Sequence, residues 1–130
     1  MAIETYFRHI QDVVDTCPIV RSSRLTFDKR STYEGFIRGE IYFVDDSFLH
    51  VREFVSVETD TDRLTYAYQY MRVGQALFFR YDNTGHHRKL NLPTYPHHKH
   101  DGAENRVLPS AAPTLAEVLA EIELVIDLGR

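Results

Sequence analysis

The chain has 130 residues, 43% of them hydrophobic, and a formal net charge of −4. That is the make-up of one ordinary soluble domain, 1–130, and its mild acidity excludes a generally basic nucleic-acid coat while leaving room for a local basic patch. Cys17 is the only cysteine, which excludes an internal disulfide or a thiolate metal cage; with no apolar run near the ~18 residues of a membrane span and no signal-peptide shape over Met1–Val14, the expectation is a cytoplasmic protein without a membrane partner.

Ile3, Tyr6, Phe7, Ile10, Val13 and Val14 recur at helical spacing, which predicts an amphipathic helix over 4–15, ended by Pro18. Five strands follow, at 19–27, 35–44, 48–57, 64–73 and 76–81, separated by the polar turns 28–32, 45–47 and 60–62 and by Gly74. Connections this short favour an antiparallel meander. Residues 82–113 hold Pro93, Pro96, Pro109 and Pro113 with Gly85 and Gly102, so regular structure is expected to lapse there, apart from a short strand near 106–108. Thr114 and Glu117 form a capping box, and Leu115, Val118, Leu119, Ile122, Val125 and Ile126 make the apolar face of a final helix. The fold class read from this pattern is α+β: a mainly antiparallel five- to six-stranded meander sheet with an N-terminal and a C-terminal helix.

Chemistry concentrates after the fifth strand. His86, His87, His97, His98 and His100 lie within twenty residues of Arg80, Arg88, Lys89 and Lys99, and Asp82 is the only acid between positions 80 and 100. This local positive patch suits a phosphate-bearing partner. On an extended chain His98 and His100 point one way and His97 and Lys99 the other; Phe78, Arg80 and Asp82 likewise share one face and Leu77, Phe79 and Tyr81 the opposite one. Imidazole titrates near neutrality, so a histidine pair can act as base and acid beside a phosphate-stabilising Arg or Lys, a set sufficient for metal-free RNA cleavage. Asp82 could orient an imidazole; its plainer role, with Asn83, is to form a turn. The same residues, His87, His98, His100 and Asp82, would also satisfy a zinc or iron-type site, but their spacing matches no zinc signature, so no metal or other cofactor is expected.

Two further features stand out. Glu53 falls in line with Leu49, Val51, Val55 and Val57 on what should be a buried face, where it needs an Arg or Tyr partner within the sheet or a role in the site. Tyr66, Tyr68 and Tyr70 alternate on one face with Arg72 and could stack bases, or could be half-buried filler. A phosphate-binding glycine loop, a dinucleotide fingerprint and a nucleophile elbow are missing, which argues against ATP-driven and hydride-transfer chemistry.

The segments HVREFV (50–55), YAYQYM (66–71), FRYDNTGHH (79–87), LPTYPHHKH (92–100) and PSAAPTLAEVLAEIE (109–123) together resemble the TumE family of small prokaryotic toxins. The positions that carry the resemblance best are Arg80, Tyr81, Asp82, Asn83, His86, His87, Pro96, His97, His98, Lys99 and His100; Gly85 stands where proline is common in the family. The resemblance implies a cytosolic toxin neutralised by a cognate antitoxin protein. Together with the basic patch it leads to the expectation of a metal-independent endoribonuclease. In it His87, His98, His100 and Asp82 are catalytic, and Arg80, Lys99, His97, Tyr68 and Tyr70 hold RNA. The alternatives are a non-catalytic nucleic-acid or protein-binding module and a metal-dependent nuclease or transferase using the histidines. One uncovered sheet face would be compatible with a homo-oligomer.

Overall fold

A computed structural model describes residues 1–74, 76–84 and 94–128. Helix α1 spans Ile3–Asp15 and buries Ile3, Tyr6, Phe7, Ile10 and Val14, the stripe its spacing predicts; each such burial stabilises the fold by about 1.5–3 kcal/mol. Strands β1 (Val20–Lys29), β2 (Glu34–Phe43), β3 (Phe48–Ser56), β4 (Asp62–Arg72) and β5 (Ala76–Asp82) follow in order. Then come β6 (His98–Asp101), β7 (Val107–Pro109) and helix α2 (Leu115–Leu128). The capping box forms: Thr114 N–H and Oγ1–H donate to Glu117 Oε1, and Glu117 N–H donates back to Thr114 Oγ1 at 3.3 Å. Among the described residues no helix is long and apolar enough to cross a membrane.

The sheet runs β1-β2-β3-β4-β5-β6-β7, antiparallel throughout, so the meander holds, but among the described residues it has seven strands rather than five or six. The extra strand is β6, inside the stretch expected to be irregular. Its inward positions are His98 and His100, so no alternation of apolar with polar residues betrays it.

Both helices cover one face of this sheet. That face carries Ile37, Ile41 and Phe43 of β2, Leu49, Val51 and Val55 of β3, the tyrosines of β4, and Phe79 and Tyr81 of β5, merging with α1 and α2 into one core. Gly39 lets β1 close on β2: its φ is +148°, and a Cβ there would lie 1.9 Å from the Arg24 carbonyl oxygen.

Glu53 is buried in this core at 2% exposure. Tyr6 of α1 donates to its Oε1 at 2.5 Å and Tyr68 of β4 to its Oε2 at 2.5 Å. Burial pushes the carboxyl pKa up, and the two tyrosine donors and the Arg63 charge oppose that rise. Arg63 donates to Tyr68 and to the carbonyls of Ala112 and Pro113 ahead of α2. The network pins both helices to the sheet, which is the structural pairing expected for this carboxylate.

Candidate functional site

The other sheet face is uncovered by either helix, and its side chains follow from strand alternation. On β2 it presents Phe36, Arg38, Glu40 and Tyr42, the residues between the core positions. On β3 it presents Phe48, His50, Arg52 and Phe54. The β2–β3 register sets these directly opposite one another: Tyr42 to Phe48, Glu40 to His50, Arg38 to Arg52 and Phe36 to Phe54. Polar rows are thereby bracketed by aromatic ones. Phe36 and Phe54 stack at 4.5 Å between centroids, with Arg30 over Phe36, and Tyr42 meets Phe48 at 6.3 Å.

The polar rows continue across the sheet. One runs Arg24, Glu40, His50, Gln69, Arg80, His100; the next runs Thr26, Arg38, Arg52, Ala67, Asp82, His98. They floor a groove of ≈ 960 Å³ lined among others by Arg24, Arg38, Arg52, Arg80, Asp82, Thr84 and Glu104. Arg80 pairs with Asp82 and Glu104, whereas Arg24, Arg38 and Arg52 form no ion pair with any described residue. Three guanidinium groups thus face solvent, with Glu40 opposite Arg24 on the β1–β2 pair.

At the far end of the groove a buried cluster forms. Cross-strand pairing sets Asp82 opposite His98 and Arg80 opposite His100. Asp82 Oδ1 accepts from Thr84 N–H and Thr84 Oγ1, each at 3.0 Å, and lies 2.8 Å from His98 Nε2. Asp82 Oδ2 accepts from Arg80 Nε at 2.9 Å and lies 3.6 Å from His100 Nε2. Each imidazole presents Nδ1 to a backbone carbonyl, His98 to Pro96 at 2.9 Å and His100 to Glu104 at 2.7 Å. A carbonyl only accepts, so both Nδ1 atoms carry hydrogen and both Nε2 atoms face the carboxylate. Arg80 also donates to His100 Nε2 at 2.9 Å. Burial, followed by the Arg80 charge, pulls the His100 pKa down, against the carbonyl of Glu104 and the neighbouring carboxylates.

Asn83 locks the strand end that carries this cluster: its Oδ1 accepts from Tyr66 N–H and its Nδ2 donates to the Leu64 carbonyl. Every residue of the Arg-Tyr-Asp-Asn run therefore has a distinct task, and Tyr81 turns to the core and donates to Glu121 of α2 at 2.6 Å.

Of the residues expected to act together, Arg80, Asp82, His98 and His100 converge. Four others do not. Lys99 points to the helix side, as alternation between two inward histidines requires, and pairs with Glu121 at 3.2 Å over the Phe79 and Tyr81 rings. His97 stacks on Tyr66 on that same side, with Nδ1 in hydrogen-bond contact with the Tyr66 hydroxyl at 2.9 Å. Tyr68 and Tyr70 are 0% exposed, so neither ring is open to a base. The tyrosine ladder is core, and Tyr70 donates to Ser47. His86 and His87 lie outside the described residues.

Arg24, Arg38, His50 and Arg52 were not singled out from the sequence. Their signal was present as the polar half of each strand's alternation, but a polar half is normally just solvated surface. The Phe36–Phe54 and Tyr42–Phe48 pairs were hidden because aromatics occupy both faces.

A family model described as Toxin TumE matches residues 10–126. The chain belongs to the TumE toxin family. The match runs from α1 into α2 and contains the whole sheet, the groove and the buried cluster. No curated protein and no solved structure matches this TumE chain.

Proposed function

We propose that this TumE-family chain is the toxin of a toxin–antitoxin pair and that it acts on RNA across its open sheet face. The observation that carries this reading is the order of that face: an arginine row between two aromatic rows, running to an Asp–His–His–Arg cluster. Single-stranded nucleic acid is held by this combination of guanidinium groups along the backbone and rings under the bases. RNA also brings its own nucleophile. In the cleavage proposed, the 2′-hydroxyl gives up its proton as the O2′–P bond forms. The P–O5′ bond breaks and the 5′-oxygen takes a proton, leaving a 2′,3′-cyclic phosphate and a 5′-hydroxyl. Arg80, at 25% side-chain exposure between groove and cluster, would stabilise charge on the phosphorus oxygens. The Asp82–His98–His100 set supplies the proton transfers. An antitoxin would neutralise the protein by covering the groove.

The test is induction of the wild type and of the His98→Ala/His100→Ala double variant, with growth and total RNA followed. Wild type should arrest growth and shorten RNA, leaving cyclic-phosphate ends, and the variant should do neither. A double variant that remains toxic with unchanged RNA cleavage overturns the site. Purified protein that shields an oligoribonucleotide at one-to-one ratio and never turns it over makes the face a binding surface instead.

A further inference from the structure

We infer that Asp82, His98 and His100 form a binding site for a divalent transition-metal ion of the zinc, manganese or iron type. One carboxylate oxygen and two imidazole nitrogens, all from buried residues, lie within 4.8 Å of one another. Two histidines and one carboxylate are a recurrent donor set for such ions. Beyond proximity, the shell around the donors is of the kind that metal-binding histidines have.

Metal-bound histidine characteristically gives its second ring N–H to a carbonyl or carboxylate, which fixes the tautomer and aims the remaining lone pair at the ion. Both histidines do so here, through the backbone oxygens of Pro96 and Glu104. The ligand carboxylate is held too, by the backbone and hydroxyl donors of Thr84. Bonds of ~2.0–2.1 Å at a tetrahedral angle put neighbouring donors about 3.3–3.4 Å apart. His98 Nε2 lies 2.8 Å from Asp82 Oδ1 and His100 Nε2 lies 3.6 Å from Asp82 Oδ2. One separation is shorter and one longer than that edge, and they fall on different oxygens, so a turn of the carboxylate and the imidazoles sets the three donors around one ion. His98 and His100 reach it because positions i and i+2 of one strand share a face, a spacing unlike the helical and loop signatures by which such sites are usually recognised.

Arg80 is the competing group. Its guanidinium donates to His100 Nε2 and pairs with Asp82. It also holds Glu104 at the groove rim at 2.8 Å, so it has a second partner to retain when an ion takes the His100 lone pair. The ion would then lie where the groove meets the cluster, since Asp82 and Thr84 both line the groove. Its use as a Lewis acid toward a phosphate rests on the RNA reading and would take the place of the proton transfers given above to His98 and His100, whose Nε2 lone pairs the ion occupies; its binding does not rest on that reading.

The experiment uses the full chain, stripped with chelator and titrated with ZnCl2 and MnCl2 by calorimetry, with CoCl2 as a spectroscopic probe. One ion per chain should bind saturably, and Co2+ should give the visible bands of a low-coordinate nitrogen–oxygen site. Asp82→Asn and His100→Ala should each weaken Zn2+ binding at least about 100-fold, and Thr84→Ala about 10-fold. Arg80→Ala should strengthen it, and His50→Ala and His9→Ala should leave it unchanged. Absence of saturable binding of either ion up to millimolar concentration overturns the site, as does Zn2+ binding indifferent to Asp82→Asn. If a histidine variant fails to fold, the Co2+ spectrum of the wild type decides: binding without those bands places the ion elsewhere. The readout is binding alone, so a protein that binds metal but leaves RNA intact retains the site and loses the RNA reading, and the converse result does the opposite.

Discussion

Arg38 stands directly across from Arg52 on the antiparallel β2–β3 pair, and neither guanidinium has an ion-pair partner among the described residues. Like charges in this position repel. A fold that keeps them together on an open face is poised to gain from an anion laid between them.

The Arg38→Gln/Arg52→Gln variant should therefore bind RNA less well without folding less well. Binding of a short oligoribonucleotide, followed by fluorescence anisotropy, should weaken at least tenfold at moderate salt. The slope of log K against log salt should fall by about 1.4, at ~0.7 for each single-strand phosphate that is no longer neutralised. Stability should stay level or rise by about 0.2–1 kcal/mol as the cross-strand repulsion goes. An unchanged salt slope would remove these arginines from the interface.

Glu53 should set a pH dependence of stability. Its folded-state pKa is raised, chiefly by burial, so the native chain holds this proton more tightly than the unfolded chain. The stability it contributes is fully present below its unfolded value of 4.5 and is lost as pH rises through the raised folded value. The stability difference, wild type minus Glu53→Gln, should therefore fall as pH is raised above 4.5 in urea denaturation series. Glu53→Ala, which takes the acceptor from the O–H groups of Tyr6 and Tyr68, should cost about 2–6 kcal/mol, from ~1–3 for each buried donor left unpaired.

Gly39→Ala should destabilise the protein by more than about 2 kcal/mol. A methyl group there meets the Arg24 carbonyl oxygen at 1.9 Å, a backbone atom that cannot move aside cheaply, at a φ of +148°. Chemical denaturation measures the loss. A cost under about 0.5 kcal/mol, ordinary for an exposed position, would show that β1 does not approach β2 this closely.

Lys99 and Arg80 are both basic and nearly adjacent across β5 and β6, yet they should behave oppositely. Lys99→Ala should leave RNA binding intact and cost no more than about 1 kcal/mol, the worth of a partly exposed ion pair with Glu121. Arg80→Ala should abolish cleavage. Equal losses of RNA binding in the two variants would contradict the placement of these side chains on opposite sheet faces.

How much of this was legible depended on whether the signal was local. Helix α1, the capping box at Thr114 and Glu117, the first five strands and their meander order follow from periodicities and short turns, and the chain itself carries those. The shared direction of Arg80 with Asp82, and of His98 with His100, followed from alternation in the same way. Strand β6 was obscured because its inward residues are histidines, and Tyr68 and Tyr70 were misassigned because alternation does not say which face a helix will cover.

The histidine-rich segment after β5 was thus marked by its sequence as the place of unusual chemistry, and the burial of Glu53 was marked by its apolar neighbours. Only the tertiary structure decided that Asp82 of β5 meets both histidines of β6, and that Lys99 is turned away from them. It alone brought arginines from β1, β2 and β3 onto the face that ends at that cluster. Alternation is a property of one strand, whereas register, helix coverage and convergence are set by contacts between strands and helices far apart in the chain.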